Sequence, residues 1–366
     1  VQEHHPIKHL APSWFAVIMG TGGLANILFQ WQNAFPVGNL LGILFAIVAD
    51  LLYFVVLVPW VIRWLCFFDY AYRDLNHLHT GNFFVTMPVA TTILGTNIYL
   101  IWSHYLNQSI VYHLILGLWI ISMIGVSFFT FYSTFLIIRL KETPSPDVIN
   151  FSWIMAPIAN MAVLLIGNPV LELTIKIQPT WSLSFLIINT ALFGIGFFLF
   201  IFISAIVFVR LAHHPLPPAD KIPSFGIFIS AIGLAVSAII DITKNAHSLG
   251  LLASTDFSNL ISVAVWGFGI WIVGIIVMIS IYQIRHGGIP FTMGWWAFIF
   301  PLASYTIASQ KVARIFISPL TVGYSEFLTI LLILLWVYTF SNTVRGVLSG
   351  KVFIGPRIQS RCDRIL

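Results

Sequence analysis

The sequence predicts an all-α membrane protein whose ten transmembrane helices form five helical hairpins around a central pore. Three observations carry that prediction: the scarcity of charge, the recurrence of span-length apolar stretches, and the one-sided distribution of lysine and arginine. Only 8% of the 366 residues are Asp, Glu, Lys or Arg, while 59% are hydrophobic. Mean hydropathy is +0.96. An ordinary soluble domain carries about 25% charged residues, and a soluble fold of this size has too little interior for so much apolar surface. Lipid accepts it.

Taken in order, the spans are 12–31, 38–66, 82–103, 109–138, 149–171, 182–209, 223–242, 259–284, 290–310 and 324–348. Each is close to or above the roughly 20 residues that cross a bilayer as helix. With ten spans, both termini and the loops after the even spans share one side. That side collects 13 of the 17 lysines and arginines; the other holds only Lys176, Lys244, Lys311 and Arg314. The positive-inside rule then makes both termini cytoplasmic, in the cell membrane. Trp14, Trp60, Trp64, Trp181, Trp295 and Trp296 fall near predicted ends, where indole rings favour the interface. Residues 1–348 read as one transmembrane domain and 349–366 as a basic cytoplasmic tail. No cleavable leader is expected, because the chain starts polar and runs into a full-length span.

Helix breakers and hydroxyls follow an alternation. Pro88, Pro157 and Pro301 stand in spans 3, 5 and 9, away from the predicted ends. Gly20, Gly22 and Gly23 centre span 1, and Gly226 and Gly233 mark span 7. No even span has a mid-helix proline. A proline inside a helix removes a hydrogen bond, and in hydrocarbon the freed carbonyl needs protein or water around it. The odd spans also carry Thr21, Thr86, Asn160, Ser230 and Ser304, among other polar residues. Odd helices are therefore expected to line the path and even helices to face lipid. The pore-lining candidates are Thr21, Gly22, Thr86, Pro88, Pro157, Asn160, Ser230 and Ser304. The competing reading is that small residues simply let helices pack closely.

The run Pro12-Ser13-Trp14-Phe15-Ala16-Val17-Ile18-Met19-Gly20-Thr21-Gly22 closely resembles the start of the tellurite-resistance/dicarboxylate transporter family. That family includes malic acid transporters, sulfite efflux pumps and plant slow anion channels. His79 ahead of Phe84 and Pro88, then Trp153 with Pro157, resemble its third and fifth spans. Trp295-Trp296-Ala297-Phe298-Ile299-Phe300-Pro301 resembles its ninth-span signature. The resemblance covers nearly the whole chain. It implies five hairpins around a pore, commonly a homotrimer, with Phe300 before Pro301 as the plug. It implies small inorganic or organic anions as cargo, C4-dicarboxylates such as malate first, with chloride, nitrate, sulfite and tellurite as alternatives.

The chemistry of the residues agrees with an anion path. No Lys or Arg lies in the middle of a span, which suits conduction, since a full charge at mid-depth traps its counter-ion. Lys244 and Lys311, at the outer ends of spans 7 and 9, are candidates to attract anions to the mouth. Asp50 lies near the middle of span 2, where a carboxylate is protonated, paired or functional. Either proton coupling or a structural bond to a neighbouring helix explains it. Asp241 and Lys244 stand at i,i+3 spacing and are expected to pair. His4, His5, His9, His77 and His79 read as solvated loop residues, with no Cys or carboxylate to complete a metal site. Cys66 and Cys362 make no disulfide framework. No HExxH or GxSxG motif is present, so an enzyme, a cofactor and a bound metal are not expected. The basic residues form no single patch, which argues against nucleic acid.

Overall fold

The computed structural model describes residues 6–31, 35–78, 80–140, 146 and 148–350, and among them every regular element is helical. Twelve α-helices follow in order: α1 Phe15–Gln30, α2 Gly38–Cys66, α3 Phe68–Asn76, α4 Thr86–Leu100, α5 Gln108–Ile138, α6 Met155–Ala162, α7 Leu164–Ile177, α8 Ser182–His213, α9 Phe225–Ser248, α10 Asp256–Arg285, α11 Trp296–Ile315 and α12 Pro319–Leu348. The five odd spans correspond to α1, α4, α6 with α7, α9 and α11. The even spans correspond to α2, α5, α8, α10 and α12. The expectations for His4, His5, His79, Cys362 and nearly all of the tail lie outside the described residues.

Nine helical segments are long and apolar enough to cross a membrane among the described residues. The tenth predicted span, 290–310, is present as α11. It falls short by composition because Pro301, Ser304, Tyr305, Gln310 and Lys311 lower its hydropathy. Its bounds are shifted outward by several residues from those predicted.

The alternation read from the sequence is a physical division of labour. In the apolar windows of the four odd spans among those nine segments, 83%, 78%, 83% and 83% of residues are buried; in the even spans the figures are 28%, 28%, 33%, 22% and 28%. The odd helices form a closed ring in which α1 packs on α4, α4 on α7, α7 on α9, α9 on α11 and α11 on α1. Each even helix sits outside a seam: α2 on α1 and α4, α5 on α4 and α6–α7, α8 on α6–α7 and α9, α10 on α9 and α11, α12 on α11 and α1. Because every return is antiparallel, all odd spans begin on one face, here called the N-face, and end on the other, the C-face.

Glycines set how close the ring closes. A side chain at Gly233 of α9 would lie 2.5 Å from the Ser304 carbonyl carbon of α11. One at Gly22 of α1 would collide with Ile93 of α4. At Gly233 α9 meets the backbone of α11, and at Gly22 α1 takes the Ile93 side chain of α4, close approaches that small residues permit in membranes.

Two predicted helix breaks have a different character from the one expected. Pro88 is the third residue of α4 and Pro157 the third of α6, and each helix follows a short 3-10 turn, Gly81–Phe83 or Phe151–Ile154. In the first helical turn proline forfeits no internal bond. Pro301 alone of the three stands well inside its helix. The carbonyl of Ala297, four residues earlier, loses its helical donor and faces Gly226 of α9. Span 5 breaks instead at Val163, between α6 and α7.

Connections are pinned by side chains. Asn107 caps α5 through the Ser109 N–H, and Ser318 forms a capping box with Thr321 at the start of α12. On the N-face two arginines counted as loop charges are buried. Arg63 ends α2, pairs with Asp74 of α3 and donates to the Lys8 carbonyl at 3.2 Å. Arg210 ends α8 and donates to the carbonyls of Pro146 and Pro215, at 2.8 and 2.7 Å.

Candidate functional site

Two cavities lie on the axis of the ring. The N-face cavity, about 60 Å³, is lined by Ser13, Ala16 and Met19 before and in α1, Val85, Thr86 and Val89 at α4, Met155, Ile158, Ala159 and Ala162 of α6, Ile227 and Ser230 of α9, and Trp296, Ala297, Phe300 and Pro301 of α11. Almost all of that surface is apolar. The C-face cavity, about 190 Å³, is lined by residues of the same ring one or more turns further along, and it is polar and charged. Among the described residues, Phe300 is the one that lines both cavities. It is 6% exposed.

Helical spacing explains which residues face the axis. On α11 the C-face cavity takes Phe300, Ala303, Ser304, Ile307 and Lys311; on α1, Gly23, Asn26 and Gln30; on α7, Leu165, Asn168, Pro169 and Glu172; on α9, Asp241, Lys244 and Asn245. Residues three, four and seven apart share a helix face. Each odd helix therefore turns one stripe inward.

Of the predicted lining residues, Thr86 and Ser230 face the N-face cavity and Ser304 the C-face cavity. Ser304 Oγ donates to the Pro301 carbonyl at 2.8 Å and lies 3.2 Å from Ser230 Oγ. Thr86 Oγ1 is within 2.8 Å of the Pro12 carbonyl and 2.6 Å of the Phe83 carbonyl. Five others lie off both cavities. Thr21 accepts from the Trp336 indole of α12 at 3.1 Å. Gly22 faces α4, and Pro88 packs against Gly125 of α5. The Pro157 carbonyl lies against Gly196 of α8, and Asn160 donates to Thr130 of α5 at 2.6 Å. Thr21, Pro88, Pro157 and Asn160 thus meet even helices, while Gly22 lets α1 approach α4 within the ring.

The charged residues are arranged differently from the sequence expectation. Asp241 does not pair with Lys244 along α9; it pairs with Lys311 of α11. Lys244 instead lies 3.4 Å from Glu172 of α7, whose other oxygen is 3.9 Å from Lys176. Neither candidate mouth lysine is thus an unopposed cation, and the lining of the C-face cavity carries two positive and two negative groups. Arg314 donates to Gln30 Oε1 at 3.1 Å across the α1–α11 seam. Asp50 accepts from Asn97 Nδ2 at 2.7 Å and from the Trp102 indole at 2.8 Å, bracing α2 against span 3.

Sequence reasoning missed Glu172, placed just beyond span 5, and the amides of Asn26 and Asn168. Both asparagines are buried, and neither side-chain nitrogen nor oxygen meets a protein partner. Burying an amide without a partner costs about 1–3 kcal/mol. Other buried polar atoms off the cavities are also unpartnered, Asn189 among them, but Asn26 and Asn168 are the asparagines that combine this with a place in the lining of the C-face cavity.

The family model "SLAC1: Voltage-dependent anion channel" matches residues 9–344. The chain belongs to that family. A transporter of Methanocaldococcus jannaschii is 31% identical over 351 residues, which are 95% of this chain and 96% of the relative. The sulfite efflux pump SSU1 of Trichophyton rubrum is 25% identical, covering 95% and 93% of the two chains. The malic acid transport protein of Schizosaccharomyces pombe is 22% identical, covering 93% and 79%. Membership makes this an anion transporter of the membrane rather than an enzyme, and the family resemblance read from the Trp-Phe, Trp-Pro and Phe-Pro motifs holds over nearly the full chain.

Proposed function

We propose that small anions cross the membrane along the axis of the five-helix ring, and that Phe300 closes this path in the conformation seen. The single observation that carries the reading is the position of Phe300 between the two axial cavities. Pro301 supports it, since the loosened turn around the Ala297 carbonyl lets the ring swing without unwinding α11. An aromatic plug with an apolar cavity beneath it blocks flow by bulk and by dewetting.

The cargo we infer first is a C4-dicarboxylate such as malate. A second reading, a sulfite-type oxyanion, is favoured by the sulfite efflux pumps, which are somewhat more similar to this chain than the malic acid transport protein is. The N-face is assigned to the cytoplasm with both termini, in the cell membrane, and the assembly to a homotrimer. Asp50 is the candidate for proton coupling, and Lys244 and Lys311 serve the outer mouth as members of ion pairs.

The test is anion flux in proteoliposomes at fixed voltage and pH gradient, comparing malate, sulfite, chloride and nitrate for the wild type and Phe300→Ala. A rise in the variant supports the axial gate, and the preferred anion settles the cargo. Folded protein that moves no anion in either form sinks the reading. Asp50→Asn should abolish any dependence of flux on the proton gradient; an unchanged dependence leaves Asp50 a brace only.

A further inference from the structure

The C-face cavity holds groups that closure by Phe300 does not use. Asn26 of α1 and Asn168 of α7, on the two ring helices that flank α4, both line it, 1% and 3% exposed, with both side-chain polar atoms of each unpartnered in the protein. Asn245 of α9 donates to the Asn168 backbone carbonyl at 3.3 Å, so the backbone at Asn168 is held while its amide is left for another partner. Thr96, Tyr99 and Ser304 line the same space.

Charge does not explain what would bind there. Lys244 and Lys311 are balanced by Glu172 and Asp241, so the lining offers an anion no net attraction. Recognition falls to directional hydrogen bonds. A spherical halide has no fixed acceptor directions, whereas a carboxylate or sulfite group presents several oxygens that can take an amide N–H and an ammonium together. The two ion pairs are also unequal. Lys311 and Asp241 are close and mostly buried, while Lys244 stands 3.4 Å from Glu172 with its side chain 64% exposed. That separation is longer than the ~2.7–2.9 Å of a strong charge-assisted bond. Lys244 is the lysine that an incoming oxyanion can take over.

We propose that Asn26, Asn168 and Lys244 form a binding site for a small oxyanion of the carboxylate or sulfite type, with Glu172 as its built-in competitor. The site rests on the anion-transport reading and makes it specific: selection against halide occurs in the C-face cavity, before the Phe300 constriction.

The experiment is concentration-dependent uptake of malate, sulfite and chloride into proteoliposomes by the wild type, Asn26→Leu, Asn168→Leu and Glu172→Gln. Either leucine variant should lower malate and sulfite uptake at sub-saturating concentration by about fivefold, the scale of one or two lost hydrogen bonds, while chloride changes by less than about twofold. Glu172→Gln, which leaves both amides in place, should lower the half-saturating concentration of malate and sulfite several-fold. An equal fall for all three anions in the leucine variants, or an unaltered half-saturation in Glu172→Gln, overturns the site. Should the leucine variants fail to fold, Glu172→Gln decides alone. Wild-type protein that carries no anion removes the underlying reading as well; wild-type transport with unchanged anion ratios in every variant removes this site only.

Discussion

The two axial cavities are built by the same five helices and differ in kind. Toward the N-face the lining is nearly all carbon, with Ser13, Thr86 and Ser230 the main exceptions. Toward the C-face it carries amides, hydroxyls and four charged groups. The difference lies in which residues occupy the inward stripe of each helix, since the backbone ring is continuous. Phe300 lines both chambers where the dry one gives way to the wet one, which is where the proposed reading places the barrier to an ion. The ion pairs of the wet side also tie α7 to α9 and α9 to α11, so polarity there supports structure as well as passage.

The sharpest way to break this contrast is to open the junction. Phe300→Ala should raise anion flux by roughly tenfold or more, the equivalent of about 1.4 kcal/mol off the barrier, read in the same proteoliposome assay. Charging the dry side comes next. Ser230→Asp places a carboxylate in the apolar chamber, where desolvation and like-charge repulsion should cut anion flux by several-fold while the fold survives thermal-shift measurement. Gly233→Ala tests whether the ring must close tightly at the junction. Its methyl group meets the Ser304 backbone, and overpacking of that sort costs about 1–3 kcal/mol, seen as a lower melting temperature in detergent. The smallest effect belongs to the periphery. Ser318→Ala removes the cap of α12, at about 1 kcal/mol of stability, and should leave flux and anion preference unchanged because no axial residue moves.

The outline of this architecture was legible because it depends on gross physical signals. Apolar stretches placed the spans and charge sidedness checked their number, and Pro88, Pro157, Pro301, the glycines and the hydroxyls separated odd helices from even ones. The inward stripes were not legible. Odd helices are buried on all sides, so apolar residues such as Ile93, Leu165 and Ile307 share their lining with Thr96, Asn168 and Ser304, and the helical period is blurred. Hydroxyl content overstated the path for a related reason. Thr92 satisfies itself on a carbonyl four residues back and lines neither cavity, and Thr21 and Asn160 serve even helices. The partners of Lys244 and Lys311 were hidden by sequence distance, Glu172 and Asp241 lying 72 and 70 residues away. The local i,i+3 pair was the simpler expectation, and a tertiary contact replaced it. The amphipathic α3, between spans 2 and 3, passed unnoticed because its nine residues are too short for a span and too polar for a hydropathy signal.

Each seam of the inner ring is backed by an outer helix, and that arrangement governs how cargo arrives. A protein that admits molecules sideways from the bilayer needs a gap between neighbouring helices, and here α2, α5, α8, α10 and α12 shutter all five. On the axial reading, cargo is therefore expected to enter from water at one face and leave to water at the other, rather than sideways from the bilayer.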